Sequence, residues 1–410
     1  MKTPIEVKKK GKVVLAFSGG LDTSFCVLYL KEQGFDVITL TVDTGGFDKE
    51  EARFIAQRAK KLGVLKHYFV DGRENLYNEL ASYIIKGNIL RGGVYPLSAG
   101  PERLVIATKL VEVAAGEKAH YVAHGSTSAG NDQVRFDVTI KVLNPKLEII
   151  APIRDSSITR EKEIEFLEGH GVSVPKITKS YSINKGMLGV TVAGKETKGS
   201  WETPSEDAFP DIPPLAKTPN KPVNLTIEFK TGLPTGINGK AMPGVQIMEH
   251  LNKIGGEHSV GKGVHLGNTI LGIKGRIAFA APAATILIKA HKELEKLVLT
   301  KWQLFWKDLL SDFYGNLLHE ALYFDPVMRD LEAFIDSSQT RVDGKVKIKL
   351  FKGNIVVEGV ESLYSLMNPE IGTYGEESAL WDGQDAQGFI KIYGLQSVLA
   401  ANAAKLGKKQ

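Results

Sequence analysis

Short apolar runs punctuate the first 170 residues: Val13–Phe17, Val37–Val42, Tyr68–Val70, Tyr121–Ala123 and Glu148–Ile150. Polar residues or glycines bound them, and they are too short for helices, so the pattern predicts buried strands. Between most of them apolar positions recur at helical period. Phe25–Gln33 sets Phe25, Leu28 and Tyr29 on one face, and Asp48–Leu62 does the same with Phe54, Ile55, Ala59 and Leu62. Leu104–Ala115 and Thr159–Leu167 read alike. Strands alternating with helix-length segments predict βαβ units, hence an α/β fold whose N-terminal part is a doubly wound parallel sheet.

The character changes after residue 178. Six of the seventeen prolines fall between 204 and 222, which predicts an extended excursion. Val223–Phe229 then alternates like a half-buried strand. Two amphipathic helices are expected at Thr285–Val298 and Lys301–Leu322, the second burying Leu304, Phe305, Leu309, Phe313, Leu317 and Leu318. Asp325-Pro326 reads as an N-cap with proline at the first helical position, and Val346–Val357 as a hairpin turning at Lys352-Gly353-Asn354. Asp385–Lys405 carries an apolar stripe of Phe389, Ile392, Leu395, Val398 and Leu399. Gly394 in its middle would weaken an isolated helix by roughly 1 kcal/mol. The expected division is a nucleotide-binding domain at 1–178, a second, α+β domain at 179–384, and a C-terminal helix and tail at 385–410.

Composition narrows the class. The chain has 410 residues, 43% hydrophobic and 24% charged, enough apolar material for large cores. Its single cysteine, Cys26, excludes an internal disulfide and a cysteine-built metal cage, and reads as a small buried hydrophobe. No run approaches the ~20 apolar residues of a membrane span, and Met1–Lys12 is basic without an apolar core, so a cytoplasmic location is expected. The net charge of +5 sits in the ends: +4 over residues 1–12 and +3 over 399–410, leaving −2 in the body. That distribution argues against a nucleic-acid surface. The nine histidines, His120, His124, His250 and His258 among them, show no ligand spacing, so no protein-built metal site is expected. Trp302 and Trp306, at helical spacing, read as core or interface.

Candidate chemistry concentrates in two segments. The first expected strand runs into Ala16-Phe17-Ser18-Gly19-Gly20-Leu21-Asp22-Thr23-Ser24, and a helix follows at once. Glycines let the backbone wrap an anion, the helix N-terminus offers unpaired N–H groups, and Ser18, Thr23 and Ser24 add hydroxyls. An ordinary βα turn would look similar, but hydroxyls on both sides of Gly-Gly favour phosphate. The Walker lysine and spacing are missing. The second segment, Gly125–Phe136, packs Asn131, Asp132 and Arg135 within five residues. By itself it is open between a polar surface loop and a site where Asp132 takes an ammonium or metal and Arg135 clamps a carboxylate.

The first segment resembles the pyrophosphate loop of N-type ATP pyrophosphatases, which cleave ATP between its α- and β-phosphates. Together the two resemble the argininosuccinate synthetase family, whose second loop reads Gly-x-Thr-Gly-Lys-Gly-Asn-Asp-Gln-Val-Arg-Phe. The likeness continues through Tyr95 and Arg103, Ser180–Asn184, Thr191, an expected turn at Ile254–Gly261, Lys274–Arg276, Phe351–Asn354 and Asp385–Ile390.

The resemblance implies ligation of citrulline and aspartate with ATP, which is split to AMP and pyrophosphate with Mg²⁺ as cofactor, in a cytoplasmic homotetramer. It implies that Ala16 through Ser24, the backbone at Val42, and Gly125 bind ATP. Thr127, Asn131 and Asp132 would hold aspartate, and Tyr95, Asn131, Arg135, Ser182 and Thr191 citrulline. Ser18, Asp22 and Asp132 are expected to carry the chemistry. Several positions depart from the family: Ala129 stands for its lysine, Gly100 for a hydroxyl, Asn184 for an acid, Gly267 for a glutamate and Phe279 for a tyrosine. His265 and Glu196 are candidate substitutes or ordinary structural residues. Two rivals remain. One is another amidating or thiolating ATP pyrophosphatase, disfavoured by the single cysteine and by the lack of a glutaminase domain. The other is an ATP-binding regulatory oligomer that has lost citrulline.

Overall fold

A computed structural model describes residues 9–173, 181–376 and 378–406. Most of the basic N-terminal segment, the expected boundary at 178/179, Ser180, and Lys408 and Lys409 lie outside the described residues. The chain forms two compact units, to Tyr364 and from Ser365.

The first unit opens with the expected alternation: β1 (Gly11–Ala16), α1 (Leu21–Glu32), β2 (Phe35–Asp43), α2 (Lys49–Lys61) and β3 (Lys66–Asp71). α3 (Arg73–Leu76) and α4 (Ser82–Lys86) are joined by a π-helical turn at Tyr77–Ala81. There follow α5 (Gly100–Glu117), β4 (Tyr121–Ala123), α6 (Asp132–Leu143), β5 (Glu148–Ile150), α7 (Pro152–Ser156) and α8 (Arg160–Gly169). The strands form a parallel sheet ordered β3-β2-β1-β4-β5. Alternation along β1 explains how both its faces are covered. Val14 and Ala16 enter one apolar core, while Val13, Leu15 and Phe17 enter another with Phe25 and Leu30 of α1. Phe54, expected on the buried face of α2, is exposed; Ile55 and Ala59 carry that contact. Cys26 is buried and free, as expected.

Next come β6 (Ser182–Gly186), β7 (Gly189–Ala193), β8 (Val223–Lys230), β9 (Leu233–Ile237), β10 (Lys240–Ala241) and α9 (Gly244–Glu257). β11 (Lys262–Asn268), β12 (Lys274–Ala280), α10 (Pro282–Val298), α11 (Lys301–His319), α12 (Pro326–Gln339), β13 (Gly344–Phe351) and β14 (Asn354–Glu361) complete the unit. They build an antiparallel sheet β10-β9-β8-β13-β14, backed by α10, and a smaller sheet β11-β12-β7-β6. Leu225 and Ile227 of the larger sheet share a core with Val14 and Ile38 of the parallel sheet. Asp325 caps α12 as expected, its side chain accepting from the Val327 amide at 3.0 Å. Ile254–Glu257, expected as a turn, is instead the last turn of α9.

α11 has the expected period, and of its expected inner face Leu318 is buried while Leu304 and Leu317 pack partly buried against the core. Phe305, Leu309 and Phe313 are 48–55% exposed, alongside exposed Trp302 and Trp306, while Lys307, Ser311, Tyr314 and Leu318 are buried. Burial is possible because Lys307 Nζ pairs with Glu295 Oε2 of α10 at 2.9 Å, both side chains fully inaccessible. Glu295 also accepts from Gln339 at 2.7 Å and Asn88 at 2.5 Å.

In the second unit the C-terminal segment is two helices, α13 (Gly383–Tyr393) and α14 (Leu395–Leu406), interrupted at Gly394 where one helix was expected. Neither has a buried residue. Among the described residues no helix is long and apolar enough to cross a membrane.

The buried ion pair makes a test of the core. Glu295→Ala leaves the Lys307 ammonium stranded and should cost roughly 3–5 kcal/mol in chemical denaturation. Lys292→Ala, which removes the exposed 3.4 Å pair with Asp308, should cost no more than about 1 kcal/mol.

Candidate active site

In a doubly wound sheet the ligand crevice forms beyond the strand carboxyl ends where the strand order reverses. Here that point lies between β1 and β4, which pair side by side. The two segments singled out in the sequence leave those strands, and both line one cleft of about 990 Å³.

In one part of the cleft the chain turns from β1 into α1 through Ser18-Gly19-Gly20. Thr41 Oγ1 holds the strand end by donating to the Phe17 carbonyl at 2.6 Å. Gly19 has φ +73°, and an added Cβ would lie 3.0 Å from Ile55 Cγ1, so conformation and space both demand glycine there. Gly20, at φ −74°, is the N-cap of α1 and supplies no side chain. The first amide groups of the helix are therefore left for an anion. Ser18 Oγ lies 3.3 Å from Thr23 Oγ1 at the rim. Ala16, Phe17, Ser18, Gly20, Leu21, Asp22, Thr23, Val42 and Gly125 all line the cleft. Gly19 and Ser24 are not among the lining residues; the Ser24 hydroxyl is engaged below the loop, donating to the Gly20 carbonyl at 2.6 Å and accepting from Arg58 at 2.7 Å.

Asp22 is pushed above the usual carboxylate range by burial, against the pull of Arg160. Its neighbour Glu163 is raised to about 8 by burial and by the Asp22 charge. The pair is an acidic spot behind the loop. Among the described residues no group of three or more His, Cys, Asp or Glu forms a metal cage.

A second part of the cleft centres on Asp132, in the first turn of α6. Arg103 Nε of α5 and Arg135 Nη1 of α6 each donate to it at 2.8 Å. Burial alone would raise this carboxyl, but the Arg103 and Arg135 charges outweigh it and hold it at about 2. Arg103 reaches on to Asn184 Oδ1 of β6, and Arg135 donates to the His319 carbonyl at the end of α11 at 3.3 Å. Asn131 Oδ1 accepts from the Ile270 amide at 2.9 Å, tying the loop to the β11–β12 turn. His124, at the end of β4, is buried, stacks on Phe136 and meets Asp137 at 2.8 Å.

Tyr95 is buried between His265, stacked at 5.6 Å, and Phe279, tilted at 5.1 Å. His265 fills the space at Gly267: a Cβ there would stand 2.5 Å from its Nε2. Burial and Arg91 lower the His265 pKa, so the ring is neutral at physiological pH. Thr191 Oγ1 is buried with no hydrogen-bond partner among the described residues. Tyr95, Thr127, Asn131, Asp132, Arg135, Ser182 and Thr191 line the same cleft as the nucleotide loop. Glu196 accepts from Tyr181 Oη at 2.6 Å, which accounts for it structurally. Glu102, which also lines the cleft, is absent from the sequence reading; no motif marks it.

Two family models cover the described chain: "Arginosuccinate synthase N-terminal HUP domain" over residues 12–173 and "Arginosuccinate synthase C-terminal domain" over 181–400. Curated relatives include an argininosuccinate synthase from Geobacillus thermodenitrificans, 40% identical over 398 residues and 97% of each chain. Those from Pyrococcus furiosus and Methanocaldococcus jannaschii are also 40% identical, over 95% and 94% of this chain and 94% and 97% of their own.

The two glycines of the loop should fail differently when substituted. Gly20→Val leaves the backbone allowed but fills the cradle, so pyrophosphate binding by calorimetry should vanish while the melting temperature is kept. Gly19→Val forces a β-branched residue to φ +73° and should lower the melting temperature as well.

Proposed function

The chain belongs to the argininosuccinate synthase family, ATP-dependent ligases of citrulline and aspartate in arginine biosynthesis, and we propose that its cleft takes the three substrates as two halves. ATP lies along Ala16–Ser24, Val42 and Gly125, its polyphosphate on the α1 amides and the hydroxyls of Ser18 and Thr23. Aspartate lies on Thr127, Asn131 and Asp132. Citrulline lies on Tyr95, Asn131, Arg135, Ser182 and Thr191. The observation that carries this reading is the convergence of both loops and the β6–β7 hairpin on one cleft. The parallel-sheet domain would serve the nucleotide and the following domain the amino acids.

A ureido carbonyl is a weak electrophile with no good leaving group. Attack of its oxygen on the α-phosphate makes a citrullyl-adenylate and releases pyrophosphate; the aspartate amine then displaces AMP. The chain's part is to hold the reactants and stabilise charge, and no protein nucleophile is needed. Asp132, locked as an anion by two guanidiniums, orients the aspartate ammonium. A magnesium ion carried by ATP fits the nucleotide end, because the Asp22 carboxyl lines the cleft beside the loop and supplies the oxygen donor such an ion takes. Asp22, with Glu163 behind it, would hold it, and when bound it would offset charge on the departing pyrophosphate.

We also propose a cytoplasmic homotetramer. The aromatic stripe of α11 and the stripe of α13 and α14 are apolar faces that the chain leaves exposed, and further copies would cover them.

Omitting each substrate in turn tests the assignment: pyrophosphate release should require citrulline, and product should require aspartate as well. Asp132→Asn should raise the aspartate KM at least ~10-fold, since a charged hydrogen bond is worth about 1.5–3 kcal/mol; unchanged aspartate dependence would refute the loop assignment. A chain truncated before Asp385 should elute below tetramer mass in light scattering, whereas a full-length monomer would end the oligomer proposal.

A further inference from the structure

Two carboxylates stand near each other at the amino-acid end of the cleft, and their surroundings drive them apart. Asp132 is clamped by Arg103 and Arg135 and held at about 2, so it cannot take up a proton at neutral pH. Glu102, in the first turn of α5, is 2% exposed yet lines the cleft. Its Oε1 has no hydrogen-bond partner among the described residues. Its Oε2 lies 3.8 Å from Nη1 of Arg103, whose Nε and Nη2 are committed to Asp132 and Asn184. Space for this carboxyl comes from a different element: a Cβ on Gly186, at the end of β6, would collide with Glu102 Oε1. Burying an under-satisfied carboxyl costs stability. The Arg103 charge at 3.8 Å offsets only part of that cost and leaves Oε1 without a partner, which points to use of the group in the cleft.

We propose that Glu102 is the general base that takes a proton from the aspartate amine in the second step. This rests on the placement of aspartate at Thr127, Asn131 and Asp132. An ammonium opposite Asp132 has no lone pair with which to attack. Transfer of one N–H proton to the Glu102 carboxylate frees the pair, which forms the C–N bond to the isourea carbon of the adenylate. The C–O bond to AMP breaks, its electrons leave on the phosphate oxygen, and the second N–H proton departs with AMP. Two carboxylates with opposed proton affinities in one site is the pattern that separates an acid–base group from an electrostatic one.

Burial, opposed by Arg103 and reinforced by the Asp132 charge, raises Glu102 to about 8. The titratable or charged groups around it are Arg103 on its own helix, Tyr95 in the preceding loop and Asp132 on α6; β6 presents Asn184 and Gly186, which do not titrate. Tyr95 is raised to about 12 by burial and stays neutral. A base must be ionised, so the aspartate step should quicken as pH rises through about 8 and slow below it.

Glu102→Gln separates the two half-reactions. Citrulline-dependent exchange of pyrophosphate into ATP, which precedes the proton transfer, should continue. Argininosuccinate formation should fall by about 10²-fold or more, and its rise with pH near 8 should disappear. Hydroxylamine, already a neutral amine at physiological pH, should replace aspartate equally well in variant and wild type. Undiminished product formation in the variant, a parallel loss of exchange, or an equal deficit with hydroxylamine would each overturn the role. Wild-type protein that shows no citrulline-dependent exchange would remove the substrate assignment beneath it.

Discussion

One half-buried carboxylate shared by two guanidiniums ties one side of the cleft together. Asp132 accepts from Arg103 and Arg135 at 2.8 Å each, where little water screens the charges. The two arginines continue outward, Arg103 to Asn184 on β6 and Arg135 to the last turn of α11. Two helices of the nucleotide-binding sheet, the hairpin and a distant helix are thereby referenced to a single point. Removing Asp132 would leave the two largely buried guanidiniums without their shared anion.

The β1–α1 side of the cleft is built on another principle. It is largely backbone: a left-handed Gly19, an uncapped α1 and a strand end pinned by Thr41. The side around Asp132 is built instead from side chains of α5, α6 and β6. Both open onto one cleft at the switch between β1 and β4.

α11 shows how a helix can satisfy its period and still turn half of its expected inner face outward. The exposed face carries Trp302, Phe305 and Trp306, whose rings meet edge to face, while the inner face carries Lys307, Ser311 and His319. A lysine can lie inside because Glu295 meets it there.

Local chemistry made the strand, loop and helix around Ser18-Gly19-Gly20 readable from the chain alone. Strand, Ser-Gly-Gly and helix are contiguous, and an uncapped helix start offers unpaired amide donors. The parallel sheet was readable for the same reason, since β1 to β5 each announce themselves as a short apolar run. Residues that meet across the fold were not. Asp132 and Arg135 lie one helical turn apart, but Arg103 is twenty-nine positions away and Asn184 comes from the hairpin. Glu102 reads as an ordinary first-turn acid until Gly186 is seen to make room for it. His265, open in the sequence between a substitute and a structural residue, is located only by the fold, where its ring fills the gap at Gly267 and stacks on Tyr95. Period and propensity are properties of neighbours in sequence and settle which elements form. Burial, pairing and proton affinity depend on what faces each group across the fold, and those only the tertiary structure decided.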